Sequence, residues 1–375
     1  MDKLVSAFKK DPVLYISGIL AALSAFFVRP DAQYIGYINF RVLAILLGLM
    51  LIVSACVRIG TFDYMTYCLL RKIRGQRHIS ILLVVMSFFL SMLLTNDVTL
   101  VTLVPFAIMV LSSFKDYKSM MYTLIFMTVA TNLGSMLTPI GNPQNLYLYT
   151  NYEMQLGSFL KLMMPYSGFA LVLISIGVFL MCRNKEADSD SKMEKVAPPK
   201  VSKLLIYIAL FILCVLTVAG YVDWRIMIGV VAAVILVVDR HAYKGADYAL
   251  LLTFIFFFVL IGNIGRITEV KEALSKIVEK DPVITAVVAS QAISNVPAAM
   301  LLSAFTDDGR SLVVGTNLGG LGTLIASMAS LITYKYHAKL PAEEKGGKYI
   351  PAFTVINIIL LALLLALHFI LTSIQ

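Results

Sequence analysis

The chain has 375 residues, of which 59% are hydrophobic and 14% are charged, and its mean hydropathy is +0.86. A soluble domain has about 45–50% apolar and about 25% charged residues, so this composition excludes a soluble protein and indicates an integral membrane protein. The net charge of +9 is typical of lysine- and arginine-rich cytoplasmic loops, and no nucleic-acid partner is predicted. The four scattered cysteines predict neither a disulfide framework nor a zinc site.

Apolar segments recur along the whole chain and predict an all-α polytopic membrane protein in contact with the lipid bilayer. About 20 residues are needed to cross a bilayer as a helix. The nine predicted spans are 12–28, 37–57, 119–148, 158–182, 203–221, 224–239, 248–263, 311–334 and 350–373. Two further apolar segments, 79–114 and 282–305, are interrupted by polar residues, and each half is too short to cross. They predict two re-entrant helical hairpins, each of which enters and leaves the membrane on one side.

Lysine and arginine residues predict the orientation. With the N-terminus in the cytoplasm, most of the 31 lysines and arginines fall in cytoplasmic segments, whereas the external loop 150–158 contains none. This distribution follows the positive-inside rule and predicts a bacterial-type plasma (inner) membrane protein with a cytoplasmic N-terminus and an external C-terminus. The polar segment 183–202 is predicted to be a cytoplasmic linker between an N-terminal part, 1–182, and a C-terminal part, 203–375.

The two parts contain the same series of motifs. Residues 129–147 (VATNLGSMLTPIGNPQNLY) align without gaps to residues 314–332 (VGTNLGGLGTLIASMASLI), with eight identical residues in nineteen positions. Each segment follows one of the interrupted hairpins, and the predicted topology opens the first hairpin to the cytoplasm and the second to the outside. The chain is therefore predicted to be an inverted repeat, which in many secondary transporters places the binding sites near the membrane midplane.

Both aligned segments contain helix breakers. Pro139 and Pro143 interrupt the first, and the glycines of 316–322 interrupt the second. An unbroken helix over 119–148 would be about 45 Å long, against a hydrocarbon core of about 30 Å. We therefore expect two broken transmembrane helices, whose unwound backbone lines a polar cavity or is buried in protein. Their carbonyls could bind a cation, and the N-termini of their half-helices favour an anion.

The polar residues of the hairpin tips and broken helices form the predicted site. Hydroxyl, amide and carbonyl oxygens suit Na⁺ as a coupling ion, and no other cofactor is predicted. The predicted cation ligands are Thr95, Asn96, Asp97, Thr131, Asn132, Gly134, Ser294, Asn295, Asn317 and Gly319. Side-chain donors together with helix N-termini suit a small anionic substrate. The predicted substrate ligands are Asn96, Asn132, Asn142, Gln144, Asn145, Asn295, Thr316 and Asn317.

Two groups of these residues allow alternative roles. A charged residue at membrane depth costs about 2.5–3.5 kcal/mol on insertion scales, so we expect Asp97 to bind the coupling cation or to carry the coupling proton. The alternative role for Asp97 is an N-cap of the second hairpin helix. Asn142, Gln144 and Asn145 belong to a GNPQN motif that the second half lacks. They either select the substrate or bind the unwound backbone.

The motifs TNDVT (95–99), SNVPA (294–298) and LTPIGNPQNLYLY (137–149) resemble the ion transporter superfamily, which includes arsenite permeases, citrate carriers and divalent anion:sodium symporters. They are similar to its arsenite-permease and anion-permease branch, and the resemblance covers almost the whole chain. It implies sodium sites at the hairpin tips with the substrate between them. It also implies a scaffold and a transport domain, an elevator-type movement and a homodimer.

These observations predict a secondary active transporter of a small anion, a carboxylate or an inorganic oxyanion, coupled to Na⁺ or H⁺. The alternatives are an arsenite or antimonite efflux permease and a Na⁺/H⁺ antiporter, and an ion channel is the alternative from a different class. An enzyme is not predicted, because no HExxH pair and no histidine accompany Asp97. A GxxxxGK[ST] phosphate-binding loop is also absent from the sequence, so direct ATP drive by this chain is not expected.

Overall fold

The computed structural model describes residues 12–70, 75–186 and 196–374, and the regular elements in these ranges are helices. The middle of the predicted linker 183–202 lies outside the described residues. The helices before the linker are α1 (Pro12–Phe27), α2 (Gln33–Tyr37), α3 (Phe40–Arg58), α4 (Thr61–Leu70), α5 (Gln76–Leu90), α6 (Asn96–Ser112), α7 (Tyr117–Ser135), α8 (Pro143–Asn151) and α9 (Leu156–Met181). Those after it are α10 (Val201–Val218), α11 (Trp224–Asp239), α12 (Tyr248–Ile264), α13 (Thr268–Val278), α14 (Pro282–Ile293), α15 (Asn295–Leu302), α16 (Gly309–Leu318), α17 (Met328–Ala338) and α18 (Tyr349–Ile374).

Within the described ranges, five helical segments are long and apolar enough to cross a membrane: α3, α9, α10, Trp224–Gly245 and Ala342–Ile374. The predicted spans 12–28 and 248–263 form shorter helices, α1 with 16 residues and α12 with 17. Large apolar side chains are exposed on α1, α9, α10, α11 and α18, as expected for a surface in contact with acyl chains. The prediction of an all-α polytopic membrane protein is confirmed.

α7 is the buried centre of the first part of the chain. Its N-cap is Asp116, whose carboxylate accepts hydrogen bonds from the N–H and the hydroxyl of Ser119 at 3.2 and 2.8 Å. From Ser119 to Ser135 every side chain except that of Tyr122 is buried, although many of them are polar. Helices α5, α6 and α9 pack around α7. These neighbours keep lipid away from its hydroxyl and amide groups.

Both predicted broken helices are interrupted where the sequence contains its breakers. The first ends at Ser135 and resumes at Pro143, and the second ends at Leu318 and resumes at Met328. The two interrupted hairpin segments likewise form two helices each, α5 with α6 and α14 with α15. Their connections differ, because residues 91–95 join the first pair and Ser294 alone joins the second. Ser294 adopts a φ of 70°, which is unusual for a residue other than glycine.

Helix contacts occur in matched pairs between the two parts of the chain. α1 packs against α12, and α3 packs against α11. α6 packs against α17, and α15 packs against α8; α7 packs against α17, and α16 packs against α8. Each contact joins one helix from before the linker to one from after it. The two parts therefore share one core.

Two glycines at aligned positions allow each broken helix to lie directly against its hairpin. A Cβ atom on Gly134 of α7 would overlap the Phe88 carbonyl of α5 and lie 2.6 Å from Ser91 Oγ. A Cβ atom on Gly319, just after α16, would lie 2.6 Å from Ser290 Oγ of α14. The backbones approach so closely that any side chain at these two positions must displace a neighbour.

We expect Gly134→Ala to destabilise the folded protein strongly, because its methyl group would meet backbone rather than the end of a flexible side chain. Overpacking of this kind costs about 1–3 kcal/mol or more. The matched control is Gly168→Ala in α9, where a Cβ atom meets nothing within 4 Å. The measurement is the temperature at which the purified protein loses monodispersity in detergent. Equal temperatures for the two variants would contradict the proposed contact.

Candidate functional site

The tip of the first hairpin is hydrogen-bonded to the TN motif of α7. Asn96 donates from Nδ2 to Asn132 Oδ1 at 3.2 Å. Ser327 donates from Oγ to the same oxygen at 2.9 Å. All three side chains are buried, and Ser327 is the N-cap of α17, after the linker. Asn132 therefore receives one hydrogen bond from its own part of the chain and one from the other part.

An equivalent contact joins an N-cap residue from before the linker to a TN-motif asparagine from after it. Asn142 is the N-cap of α8, and its Oδ1 accepts from the N–H of Asn145 at 2.9 Å. Its Nδ2 donates to Asn317 Oδ1 at 3.1 Å. In the alignment of the two segments, Asn142 corresponds to Ser327 and Asn317 corresponds to Asn132. The N-cap of each half-helix thus binds the TN-motif asparagine of the opposite broken helix, and we call these two hydrogen bonds the crossed pair.

Asn145 binds the unwound backbone of the first broken helix. Its Nδ2 lies 3.2–3.4 Å from the carbonyl oxygens of Ser135, Met136 and Thr138, all between α7 and α8 or at the end of α7. Its Oδ1 accepts from Asn317 Nδ2 at 2.6 Å. Of the two roles considered for the GNPQN motif, Asn145 has backbone binding in this structure.

Gln291 of α14 has the corresponding role for the second broken helix. Its Nε2 donates to the carbonyls of Gly319 and Leu321, both at 2.9 Å, and its Oε1 accepts from the N–H of Thr323 at 3.0 Å. One amide side chain therefore satisfies three backbone groups of an unwound segment. Such groups would otherwise cost several kcal/mol each inside a membrane.

The second hairpin tip lies beside the crossed pair. The backbone N–H of Asn295 donates to the carbonyl of Ala326 at 3.0 Å, and Ser294 Oγ donates to the same carbonyl at 3.3 Å. Ala326 immediately precedes Ser327, the N-cap of α17. The tip residues Ser294 and Asn295 therefore hold the start of α17 in place.

Asp97 does not have the N-cap role considered for it. The N-cap of α6 is Thr95, and Asp97 lies in the first turn with its N–H donating to Asn96 Oδ1 at 3.0 Å. Its Oδ1 is buried and has no hydrogen-bond partner among the described residues. A buried carboxylate oxygen without a partner is energetically costly when the group is ionised. A bound cation or a bound proton would remove this cost.

The remaining predicted ligands keep part of their bonding capacity. Thr131 Oγ1 donates to the carbonyl of Thr128 at 2.8 Å, and Thr316 Oγ1 donates to that of Leu312 at 2.7 Å. Both hydroxyl oxygens can still accept a hydrogen bond or coordinate a cation. Gln144 is buried, and its Oε1 has no described partner. Asn132 Nδ2 is a buried donor that likewise has no described acceptor.

Sequence reasoning missed several polar residues of this network. They are Ser135, Thr138, Gln291 and Ser327, and Ser327 aligns with Asn142. Ser135 donates to the carbonyl of Asn132 at 3.1 Å and accepts from Asn142 at 3.2 Å, which joins the two hydrogen bonds of the crossed pair into one network. The alignment could have identified Ser327. Nothing in the sequence marks Gln291 beyond its place before the tip.

Comparison with known proteins identifies relatives over most of the chain. A family model described as a citrate transporter matches residues 5–308. An uncharacterized transporter of Methanocaldococcus jannaschii is 33% identical over 302 residues, which are 80% of this chain and 81% of the relative. The inner membrane protein YbiR of Escherichia coli is 28% identical over 325 residues, 84% of this chain and 86% of the relative. A shorter match, 30% identical over 128 residues, joins 34% of this chain to 26% of a silicon efflux transporter of Oryza sativa.

These matches confirm the resemblance to the ion transporter superfamily. They also confirm that the chain is a transport protein rather than an enzyme, because the relatives are named as transporters.

We expect Gln291→Ala to destabilise the unwound segment, because three backbone groups lose their partner at once. An unsatisfied buried group costs about 1–3 kcal/mol, so the melting temperature should fall by several degrees. Gln155→Ala is the matched control, since Gln155 is exposed and its side chain does not cap α9. Thermal unfolding of both purified variants tests this prediction. An unchanged melting temperature for Gln291→Ala would show that the amide is dispensable.

Proposed function

The chain belongs to the citrate transporter family, and from this premise we propose that it is a secondary active transporter of a small anion, a carboxylate or an inorganic oxyanion, driven by Na⁺ or H⁺. The observation that carries this proposal is the crossed pair, Asn142 to Asn317 and Ser327 to Asn132. It places the N-termini of α8 and α17 against one buried hydrogen-bond network inside the protein. Helix N-termini have a positive partial charge, so two of them facing one buried polar region favour an anion.

We further propose that the two parts of the chain, 1–182 and 203–375, are inverted copies and that α5–α6 and α14–α15 are re-entrant hairpins. The eight identical residues of the aligned segments support this architecture, as do the matched helix contacts and the equivalent glycines Gly134 and Gly319. In inverted repeats the hairpin tips approach the midplane from opposite sides. Each tip would then meet the interruption of its own broken helix.

The substrate class follows from the donors of the network. The amide Nδ2 groups of Asn142 and Asn317 donate to other asparagine side chains, and Asn132 Nδ2 has no described acceptor. A ligand with several acceptor oxygens could replace those asparagine oxygens and accept from all three amides. Carboxylates and oxyanions have such oxygens. The family model is described by citrate and one relative is named for silicon, so site chemistry is the basis for the proposed class.

The proposed coupling site is centred on Asp97, with Thr95 and Asn96 at the first hairpin tip. The unpartnered carboxylate oxygen of Asp97 suits Na⁺ or H⁺ equally by charge. The same observation favours Na⁺/H⁺ antiport as a second candidate, because one carboxylate can bind the two cations in turn. Export of arsenite or antimonite is a third candidate, and the Oryza sativa relative named for efflux favours that direction.

We expect Asp97→Asn to abolish ion-driven accumulation while leaving the protein folded. Proteoliposomes with an imposed Na⁺ or pH gradient would be tested for uptake of labelled citrate and labelled phosphate. Accumulation should fall by about tenfold or more, equivalent to losing about 1.4 kcal/mol or more of coupling. Asp97→Glu is the matched control, because it keeps a carboxylate in the same turn of α6.

Two outcomes would contradict the proposal. Accumulation by Asp97→Asn with unchanged ion dependence would exclude Asp97 as the coupling group. Proton movement driven by a Na⁺ gradient in the parent protein without any added anion would favour the antiporter.

Contacts between distant segments support the predicted sidedness. Arg58 and Asp239, both assigned to the cytoplasm, form an ion pair at 3.0 Å. Asp31 and Arg266, both assigned to the outside, form one at 2.8 Å. The hydrogen bond from the Arg266 guanidinium lowers the pKa of the Asp31 carboxyl from its ordinary value. Each ion pair joins segments that the charge distribution assigns to the same face.

We expect a cysteine at position 244 to react with a membrane-impermeant maleimide only from the cytoplasm, and a cysteine at position 155 only from outside. Lys244 and Gln155 are both exposed, and the charge distribution assigns them to opposite faces. The experiment uses a chain in which the half-buried Cys56 and Cys68 are replaced by serine. Labelling of both positions from one face would refute the topology.

We propose an elevator-type movement in which α5–α8 and α14–α17 travel relative to α1–α3 and α10–α12. The amphipathic helices α4 and α13 would join the two groups. A cavity lies between α3, α11 and α12 on one side and α8 and α15 on the other, along this boundary. The homodimer implied by the resemblance stays a prediction.

A further inference from the structure

A cavity of about 570 Å³ lies beside the ends of six helices. The end of α2, the start of α3, the second half of α8, the start of α11, the outer part of α12 and the residues after α15 surround it. All of these positions fall on the external side in the predicted topology, although they come from separate parts of the sequence. Its size is within the range of about 300–1,000 Å³ that is usual for small-molecule sites. We call it the outer vestibule.

Among the described residues that line the outer vestibule, Arg41 is the one charged residue. Its side chain is half-buried, and no carboxylate forms an ion pair with it in the described part of the chain. Guanidinium groups bind carboxylates and oxyanions through two parallel N–H donors. A half-buried arginine without a carboxylate partner is therefore available to an anion.

The N-terminus of α3 adds to this positive potential. α3 begins at Phe40 with Asn39 as its N-cap, whereas α11, which begins at Trp224, has the carboxylate of Asp223 as its N-cap. Both begin at the vestibule, which Asn39 and Trp224 line. The lining also provides a hydroxyl pair, Tyr147 and Ser303, whose oxygens are 2.7 Å apart. These groups give the described lining around Arg41 hydrogen-bonding capacity, and none of them is a carboxylate.

α8 connects the outer vestibule to the central network. Its N-cap is Asn142, and Tyr147 in its middle and Asn151 at its end line the vestibule. Nine helical residues span about 13 Å. An anion at Arg41 would therefore be about one helix length from the crossed pair.

We infer that the outer vestibule is a second anion site, in which Arg41 binds a carboxylate or an oxyanion before that anion reaches the central amides. This inference rests on the proposed function and adds an entry site to it. Arg41 gives the vestibule its charge, and the N-terminus of α3 with the Tyr147–Ser303 hydroxyl pair gives it further polar contacts.

Binding at the outer vestibule can be measured without transport. Trp224 is the single tryptophan of the chain, and it lines the vestibule, so its fluorescence reports occupancy directly. Purified protein in detergent would be titrated with citrate and with inorganic phosphate at constant ionic strength. We expect a saturable change with at least one of the two probes in the parent protein.

Arg41→Gln should raise the apparent Kd by about tenfold or more, because a hydrogen bond to a charged group contributes about 1.5–3 kcal/mol. Arg41→Lys keeps the charge and should retain most of the binding. Arg225→Gln is the matched control: Arg225 is exposed over the Trp224 ring at 5.2 Å but does not line the vestibule. It should leave the Kd within about twofold, since exposed charges contribute little.

A second variant tests the inference without changing Arg41. Asn151→Asp introduces a carboxylate at an exposed position of the lining, and it should also raise the Kd because it pairs with Arg41 or repels the probe. Equal weakening by Arg41→Gln and Arg225→Gln would overturn the inference. An unchanged Kd in both Arg41→Gln and Asn151→Asp, or no saturable response to either probe, would do the same.

Measuring both Trp224 fluorescence and anion accumulation distinguishes a failure of the vestibule site from a failure of the proposed transport function. Saturable Trp224 fluorescence in a protein that accumulates neither probe would refute transport and leave the vestibule site standing. Accumulation without any Trp224 response would refute the vestibule site alone. Asp97→Asn should lose accumulation and keep the parent Kd at Trp224.

Discussion

The crossed pair is the contact on which the centre of this protein depends. Asn142 starts α8 and binds Asn317, while Ser327 starts α17 and binds Asn132. Each half-helix therefore begins against the broken helix of the other half, and neither interruption can rearrange alone. Ser135 joins the two contacts, so these buried side chains form one connected hydrogen-bond network. In a region shielded from water, such a network is stable only when nearly all of its members are satisfied.

Two amide side chains form hydrogen bonds with the unwound backbone of the broken helices. Asn145 binds the carbonyls of the first interruption, and Gln291 binds those of the second. These carbonyls already accept hydrogen bonds from the two amides, which reduces their remaining capacity to bind a cation. Asp97 has a carboxylate oxygen with no described partner, so that oxygen keeps its capacity. The hairpin tip is therefore a better coupling site than the unwound carbonyls under the proposed function.

Much of the fold could be predicted because its signals are local. Apolar length predicted the long apolar helices, and Pro139, Pro143 and the glycines of 316–322 predicted where the helices break. The hydrogen-bond partners of the polar side chains were not predictable, because they depend on how the two halves of the chain pack together. Asn145 binds backbone rather than being free for a substrate, and Gln291 reaches across to another helix. The alternative that Asp97 is the N-cap of α6 was wrong, because the N-cap is Thr95, two residues earlier.

The two unpaired charges of the proposed pathway lie near opposite ends of α3. Arg41 lies in the first turn of α3, whereas the first hairpin tip packs through Leu94 and Val98 against Val53, near the end of α3. Arg41 and Val53 are twelve residues apart, about 18 Å along the helix axis. An anion at Arg41 and a cation at Asp97 would therefore interact only weakly through space. Under the proposed function, coupling between them has to pass through the central hydrogen-bond network, which connects Asn96 beside Asp97 to α8 below the outer vestibule.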